Sequence, residues 1–314
     1  MWFKLKQLFI FTSQYENSEA LKSMTKNLTF KDSLPSQSGH PGNFTIEQKH
    51  KKLKEIIKSL QRVVVAFSGG VDSTLLLKVC LDVLGKENVL AFIGLSPTCP
   101  QREIDEAKRT AEFLGAEFLI TETNEMEDPN FIQNSNSRCY FCKTHLFNKA
   151  WAIAKERGFL KMVEGSNLND LDDIRPGRKA CTEQQVMSPL LIAELTKMEI
   201  RQLSKTLSLP THDKPSFACL SSRIPYGTPI DMESLKKIEL SEDFIHSLGI
   251  RQVRVRCHGP VARIEVQEDD MNNIMRNKKK IVEEFKKYGF SYISLDLQGY
   301  RTGSMNISPI SEDF

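Results

Sequence analysis

The 314-residue chain can form one large domain or two ordinary ones, and its 40% hydrophobic and 26% charged residues are typical of a globular protein. Its 43 basic residues nearly balance its 40 acidic ones, which argues against a large nucleic-acid-binding surface. The seven cysteines indicate a reducing compartment rather than a secreted disulfide framework. The apolar run at residues 8–11 is too short for a signal peptide or a membrane span, so we expect a cytoplasmic protein.

The first part of the chain divides into an extension and a regular alternation of elements. Residues 1–45 are expected to be flexible, because residues 33–43 contain Ser, Gly, Pro and Gln with almost nothing to bury. After a helix at 46–60, strands are predicted at 63–67, 89–95, 117–121 and 161–164, and helices at 74–84, 102–114 and 145–157. This pattern predicts an α/β domain with a doubly wound parallel sheet over residues 46–228.

The pattern changes after about residue 229. A helix at 232–248 precedes a hairpin of strands 252–257 and 261–266, and a helix at 269–288 precedes a last strand at 291–297. These elements predict a smaller α+β domain over residues 229–314. We expect this domain to bind substrate and to form subunit contacts in a homo-oligomer.

A glycine pair lies in residues 67–74, Phe-Ser-Gly-Gly-Val-Asp-Ser-Thr, between the first buried strand and the next helix. Adjacent glycines let backbone amides turn inward, and a helix N-terminus adds unpaired N–H groups and partial positive charge, so the segment suits a phosphate. It is neither a Walker loop nor a dinucleotide fingerprint. Asp72 would repel a bare phosphate, so we expect Mg²⁺ to bridge them. The alternative is a turn whose Ser or Asp caps the helix.

This segment resembles the PP-loop of the ATP pyrophosphatase superfamily, which includes NAD synthase, GMP synthase and asparagine synthase. The resemblance implies cleavage of ATP between its α and β phosphates and an adenylated substrate. It also implies that ATP and pyrophosphate bind to Ser68, Gly69, Gly70, Val71, Asp72 and Ser73. Because ligands of such sheets lie beyond the carboxyl ends of the strands, we expect Ser96, Gly165 and Asn167 near the nucleotide.

Three further segments are similar to the LarE family: residues 138–143, 164–178 and 214–227. The most specific part is Ala-Cys-Leu-Ser-Ser-Arg-Ile-Pro-Tyr-Gly, which begins at Ala218. LarE proteins are ATP-dependent sulfur transferases that help to make the nickel-pincer nucleotide cofactor. The resemblance implies that a carboxylate of a pyridinium mononucleotide is adenylated and then attacked by the thiolate of Cys219. Cleavage of the cysteine Cβ–S bond would release a thiocarboxylate and leave dehydroalanine.

The cysteines allow a second sulfur source. Cys139 and Cys142 have a spacing that suits a shared metal or a redox pair. Some LarE-like enzymes hold a 4Fe-4S cluster on three cysteines, so a cluster on Cys139, Cys142 and Cys219 is an alternative, as is a ligand-free pair. Cys219 itself could be an inert buried thiol, but its proline-flanked loop, with Lys214 and Arg223 nearby, favours a reactive thiolate. Cys80 is expected in the core, and no role is predicted for Cys99, Cys181 and Cys257.

Arginines are the candidate ligands of the substrate phosphate. Arg254 and Arg256 alternate along a predicted strand, so they share one face, and guanidinium groups suit phosphate. We expect the pair to hold the mononucleotide phosphate; a solvated strand face is the alternative. The matched segments add Arg175, Arg178 and Arg223 as candidate substrate-binding residues.

Two other enzyme classes stay open. A tRNA-thiolating PP-loop enzyme fits the superfamily and the Cys-x-x-Cys motif, but the near-neutral charge argues against a nucleic-acid partner. An amide-forming ligase of the NAD-synthase type would use ammonia and would not need Cys219. A nucleotide-binding regulator without activity is disfavoured by the intact Ser68, Asp72 and Ser73.

Overall fold

The parallel sheet predicted from the alternating pattern is confirmed. The structure is a computed structural model that describes residues 44–171 and 176–301. In it β1 (Val63–Ala66), β2 (Val89–Leu95), β3 (Glu117–Glu122) and β4 (Met162–Val163) run parallel in the order β3-β2-β1-β4. The valines of β1 are buried because helices cover both faces of this central strand.

The helices of this part are α1 (Ile46–Leu60), α2 (Val71–Leu84), α3 (Gln101–Phe113), α4 (Pro129–Ile132), α5 (Arg138–Glu156), α6 (Gly177–Glu183), α7 (Pro189–Ile192) and α8 (Lys197–Thr206). Successive residues of β1 point to opposite faces of the sheet. Val63 and Val65 pack in one core with α1, α2, α3 and α8, whereas Val64 packs in another core with α5 and α6. The sheet is therefore doubly wound.

Two helix predictions differ from the structure. Helix α5 begins at Arg138, seven residues before the predicted start, so Cys139 and Cys142 lie in its first two turns. Cys, Tyr and Phe have modest helix propensity, which tertiary packing of Phe141 and Cys142 against the C-terminal core overrides here. Helices α6 to α8 were not predicted, although a capping box of Thr196 and Glu199 marks the start of α8 in the sequence.

The C-terminal elements are α9 (Met232–Ser247), β5 (Val253–His258), β6 (Val261–Val266), α10 (Glu268–Arg276), α11 (Lys278–Lys287) and β7 (Tyr292–Leu295). The sheet order is β5-β6-β7; β5 and β6 form the predicted antiparallel hairpin, and β7 is parallel to β6. The helix predicted over 269–288 is two helices, because Asn277 ends α10 and precedes α11. Its Nδ2 donates to the carbonyl of Asn273 at 2.9 Å.

The two sheets are joined by packing and by polar contacts. Phe131, Leu220 and Ile224 pack into the core of the C-terminal elements. The amide of Gln101, at the start of α3, donates to Glu239 of α9 at 2.8 Å. The domain boundary near residue 228 and the homo-oligomer both stay predictions.

Nearly all of the predicted extension, residues 1–45, lies outside the described residues. Within residues 44–171 and 176–301, every helix falls short of the length and apolarity needed to span a bilayer.

Candidate nucleotide and thiol site

Two glycines let other parts of the chain approach the phosphate loop, residues 67–73, closely. Gly69 has a φ of +68°, and a Cβ there would lie 2.8 Å from the Cα of Ala107 in α3. Gly165 follows β4, and a Cβ there would lie 3.0 Å from the amide nitrogen of Ser73. Larger residues would push these segments apart. The loop after β4 therefore lies against the first turn of α2.

The phosphate loop presents backbone amides and hydroxyls. The Oγ atoms of Ser68 and Ser73 lie 3.1 Å apart, and Ser73 Oγ donates to the carbonyl of Gly70 at 3.2 Å. The side chain of Val71 is buried in the core, so only its amide is available to a ligand. Gly70 precedes α2 and offers no side-chain cap to the first-turn amides. Such an uncapped helix start suits an oxyanion.

Asp72 has two polar partners. Lys197, the first residue of α8, forms an ion pair with Oδ2, and the Nδ2 of Asn167 donates to Oδ1 at 3.4 Å. Burial raises the pKa of Asp72, and the charge of Lys197 opposes that rise. Lys197 was not among the predicted ligands, because only tertiary folding brings it to the phosphate loop.

The loops after β2 and β3 meet at a buried carboxylate. Ser96 donates its hydroxyl to Glu125, and its Oγ lies 2.7 Å from Oγ1 of Thr98. Glu125 is fully buried, and within the described ranges its Oε2 has no hydrogen-bond partner. Ser96 thus lies at the carboxyl edge of the sheet, with its hydroxyl directed to Glu125 and Thr98.

The segment that carries Cys219 is attached to the same edge. The amide of Leu220 donates to the carbonyl of Thr98 at 2.7 Å. Half-buried Cys219 directly precedes a short 3₁₀ turn, Leu220–Arg223. Its carbonyl accepts a hydrogen bond of 2.9 Å from Arg223 Nη1. The backbone around Cys219 is therefore held on two sides.

Arg223 is enclosed rather than exposed to a substrate. Its side chain is fully buried and makes two 2.9 Å bonds to the carboxylate of Glu242. Burial alone would raise the pKa of Glu242, but the guanidinium holds it below its ordinary value. This burial counts against the predicted substrate contact and favours a role in fixing the Cys219 backbone.

The folded chain gathers four thiols. Burial raises the pKa of Cys139 and Cys142 and raises that of Cys99 to about 12. Cys142 packs against the core that contains Leu220, and the Leu220 amide donates to the carbonyl of Thr98, which precedes Cys99. Cys99, Cys139, Cys142 and Cys219 therefore share one neighbourhood, which was not predicted for Cys99. In the described part of the chain, no three His, Cys, Asp or Glu side chains are arranged to hold a metal ion. As placed, these thiols do not fit an iron–sulfur cluster.

Lys214 connects the thiol segment to the phosphate loop. Its Nζ lies 2.8 Å from Glu103 and 2.6 Å from Glu106, and it donates to the carbonyl of Gly69 at 3.3 Å. Burial lowers the pKa of Lys214, but the two carboxylates raise it overall. Beside it, between α3 and the C-terminal elements, lies a cleft of about 610 Å³. Its lining includes Arg102, Lys214, Phe217, His246, Arg251 and Arg254.

Arg254 and Arg256 are buried, which contradicts a solvated strand face. Both turn toward the Cys219 segment: Arg254 donates to the carbonyl of Ser216 at 2.7 Å, and Arg256 donates to that of Ser222 at 2.9 Å. Arg256 also forms a 2.7 Å ion pair with Glu265. Burial, with the charge of Arg223, lowers the pKa of Arg254 to about 10.

The last two candidate arginines belong to the segment before and within α6. Arg178 is the second residue of α6 and is half-buried. Arg175 lies outside the described residues. A Cβ on Gly177 would lie 2.9 Å from Cδ of Lys143, so the start of α6 packs against the first turns of α5.

Comparisons with known proteins show the family of the chain. A family model described as NAD synthase matches residues 45–171. The pyridinium-3,5-bisthiocarboxylic acid mononucleotide synthase of Lactiplantibacillus plantarum is 37% identical over 262 residues, which are 83% of this chain and 95% of that protein. An uncharacterized protein of Synechocystis is 39% identical over 263 residues, 83% of this chain and 98% of its own. An NH(3)-dependent NAD(+) synthetase of Methanocaldococcus jannaschii is 26% identical over 179 residues, 50% of this chain and 63% of its own.

The two more similar relatives cover most of this chain, whereas the NAD synthetase covers half of it. The family model likewise ends before the segment that carries Cys219. The chain therefore belongs to the LarE family within the PP-loop superfamily.

Proposed function

We propose that this chain is an ATP-dependent sulfur transferase of nickel-pincer cofactor synthesis. It adenylates a carboxylate of a pyridinium mononucleotide in the cytoplasm and converts it to a thiocarboxylate with the sulfur of Cys219. The observation that carries the proposal is the hydrogen bond of 2.7 Å between the Leu220 amide and the Thr98 carbonyl. It attaches the Cys219 segment to the same edge of the sheet as the phosphate loop. The 37% identical relative, by its name, makes such a product.

The phosphate loop binds ATP in this mechanism. Backbone amides at the start of α2, with Ser68 and Ser73, surround the phosphates. The partly accessible carboxylate of Asp72 suits Mg²⁺, which prefers oxygen ligands and would supply charge neutralisation for the triphosphate. Lys197 adds a second positive charge beside the same carboxylate. The carboxylate of the substrate attacks the α phosphorus, and pyrophosphate leaves.

The sulfur step takes place at the Cys219 segment. The thiolate of Cys219 attacks the carbonyl carbon of the acyl adenylate, the C–O bond to AMP breaks, and a thioester forms. Loss of the Cys219 Cα proton then breaks the Cβ–S bond. The thiocarboxylate leaves with the sulfur and its electron pair, and dehydroalanine remains in the chain. Arg223 contributes by holding the Cys219 carbonyl in place.

The cleft beside Lys214 suits the mononucleotide. Its volume of about 610 Å³ is within the range of small-molecule sites. Arg254 lines it and donates to the carbonyls of Val253 and Ser216, while Glu242 and Glu265 form ion pairs with Arg223 and Arg256. We propose that Arg254 receives the substrate phosphate, with Arg256 behind it. Arg178 and Arg175 are proposed to act nearer the adenylate.

An amide-forming ligase is the second candidate, because a NAD synthase model matches residues 45–171. A single-turnover reaction with ATP, Mg²⁺ and pyridinium-3,5-biscarboxylic acid mononucleotide distinguishes the two. We expect AMP, pyrophosphate and thiocarboxylate in equal amounts without added sulfur or ammonia. An amide product that requires ammonium would support the ligase, and thiolated tRNA in a parallel reaction would support a tRNA-modifying enzyme.

A further inference from the structure

One asparagine joins the Cys-x-x-Cys helix to the chain that follows Cys219. Asn134, between α4 and α5, is fully buried and has a φ of +52°. Its Nδ2 lies within hydrogen-bond distance of three carbonyls, those of Ile224 at 3.3 Å, Pro225 at 2.9 Å and Thr228 at 2.9 Å. Its own carbonyl accepts from the amide of Gly227 at 3.1 Å. Asn134 thus holds residues 224–228 through its side chain and its backbone.

The other side of the same amide faces the Cys-x-x-Cys motif. Arg138, the first residue of α5, donates from Nη1 to Oδ1 of Asn134 at 2.6 Å. Its guanidinium is buried and lies 4.5 Å from the ring centroid of Tyr226. Arg138 directly precedes Cys139 in the chain. A continuous polar connection therefore runs from the first turn of α5, through Asn134, to residues 224–228.

The Cys219 segment is held on its other side as well. Arg223 binds the Cys219 carbonyl and is itself fixed by Glu242. Helix α5 packs on the sheet through its later turns, and Asn134 connects its first turn directly to the residues that follow Cys219. Burying a polar amide is favourable only if its hydrogen bonds are made, so this connection has one well-defined geometry.

We infer that Asn134 is a positioning residue which, through Arg138, sets the separation between the Cys139 and Cys142 thiols and Cys219. The inference rests on the proposed function in one respect: it assumes that sulfur transfer depends on the separation of these thiols. Because Cys142 packs against the core that contains Leu220, the Cys-x-x-Cys motif lies beside the Cys219 segment in the enzyme without substrate.

Disulfide formation measures the separation directly. Diamide takes two protons and two electrons from two thiols, which leaves a disulfide and the corresponding hydrazine. In the wild type we expect rapid cross-links of Cys219 to Cys139 or Cys142, identified by peptide mass mapping. Asn134→Gly keeps the positive φ and deletes only the side chain, so cross-linking should slow roughly ten- to a hundredfold, as for other misplaced reacting groups.

Two further variants keep the test decisive. Asn134→Asp keeps the acceptor for Arg138 but places an oxygen opposite three carbonyls, so it should also slow cross-linking. Gln185→Gly, at an exposed residue with a φ of +54°, is the matched control and should leave cross-linking unchanged. Slow cross-linking in the wild type, or wild-type rates in both folded Asn134 variants, would overturn the inference.

A second measurement separates positioning from loss of folding. Asn134→Gly should still form AMP and pyrophosphate, because the side-chain hydrogen bonds of Asn134 go to Arg138 and residues 224–228 rather than to the phosphate loop, while its thiocarboxylate yield falls. Equal loss of both products, with a lowered melting temperature, would indicate a structural role and contradict the inference. If the wild type makes no thiocarboxylate, the proposed function fails, but the cross-linking result still decides the position of the thiols.

Discussion

Lys197, the first residue of α8, forms an ion pair with Asp72, which lies 125 residues earlier in the sequence, in the first turn of α2. Both side chains are partly exposed, so the pair is accessible to an incoming nucleotide. A triphosphate brings several negative charges to this point and would compete with Asp72 for the ammonium group. In the proposed reaction, Lys197 would stabilise the negative charge that develops on pyrophosphate as it leaves.

The first prediction concerns Lys197→Gln. The variant removes a positive charge from the phosphate loop, so formation of AMP and pyrophosphate should slow by about 10²-fold, as for other preorganised charges. Loss of Lys197 should also raise the pKa of Asp72 further, because burial then acts without an opposing cation. The amounts of AMP and pyrophosphate formed are measured by ion-exchange chromatography. Lys205→Gln, on the exposed face of the same helix, is the control and should retain full activity.

Asp72→Ala extends this test to Mg²⁺. The variant should fold, because the half-buried Asp72 side chain lies outside the apolar core, but it should lose Mg²⁺-dependent turnover. ADP and orthophosphate as products of the wild type would contradict cleavage between the α and β phosphates. A Lys197→Gln enzyme with the wild-type rate would exclude Lys197 from the reaction.

The sheet could be predicted from the sequence because β1 and β2 are continuous apolar runs. Short runs of this kind between helical patterns fit few structures other than a buried parallel strand. The sequence did not reveal Lys197 or Asn134, since each acquires its partners only when distant segments fold together. Arg223 resembled a substrate ligand because it is a charged residue in a loop beside Cys219. Its enclosure depends on Glu242, which α9 brings from outside that loop.

The second prediction compares Arg254→Ala with Arg256→Ala. Each variant should weaken binding of the phosphorylated substrate by about 1–3 kcal/mol, or about tenfold or more, and leave ATP affinity nearly unchanged. Arg256→Ala should in addition lower the stability of the fold, because it removes an ion-pair partner of the buried Glu265. Isothermal titration with each ligand and thermal denaturation measure these effects. An equal loss of affinity for both ligands would place the substrate phosphate elsewhere.

The third prediction concerns the buried pair of Arg223 and Glu242. Arg223→Met leaves the buried carboxylate of Glu242 with only Arg102, at 3.7 Å, as an ion-pair partner among the described residues, so the free energy of unfolding at pH 7 should fall by about 3–5 kcal/mol. In the double variant Arg223→Met/Glu242→Gln, the neutral amide still offers an acceptor to the Val255 amide, so much of the loss should be recovered. Urea denaturation measures all three proteins. A single variant as stable as the wild type would show that the pair contributes little.

The same pair gives a pH dependence with a defined sign. The folded pKa of Glu242 lies below its ordinary value of 4.5, so the carboxylate stabilises the fold above pH 4.5. That contribution is lost as the pH falls through the folded pKa. The double variant lacks this titration, so its free energy of unfolding should fall less than that of the wild type as the pH is lowered below 5. Parallel acid-unfolding curves would contradict a depressed pKa for Glu242.

The last prediction is the fate of the Cys219 sulfur. If the sulfur leaves with the product, each enzyme molecule reacts once, and its mass falls by the equivalent of hydrogen sulfide. Intact-protein mass spectrometry before and after one turnover detects the loss, and peptide mapping should place it within residues 217–223. Cys257→Ala, outside the four-thiol neighbourhood, is the control and should show the same mass change.

A cluster on Cys139, Cys142 and Cys219 predicts different observations. Anaerobically purified protein would be brown and contain iron, Cys139→Ala would lose that iron, and turnover would continue with added sulfide while the mass of the Cys219 peptide stayed constant. We expect the mass loss instead, because the thioester route requires only groups that the chain supplies. Full activity of Cys219→Ala would contradict both routes and favour the amide-forming ligase, which needs no thiol at this position.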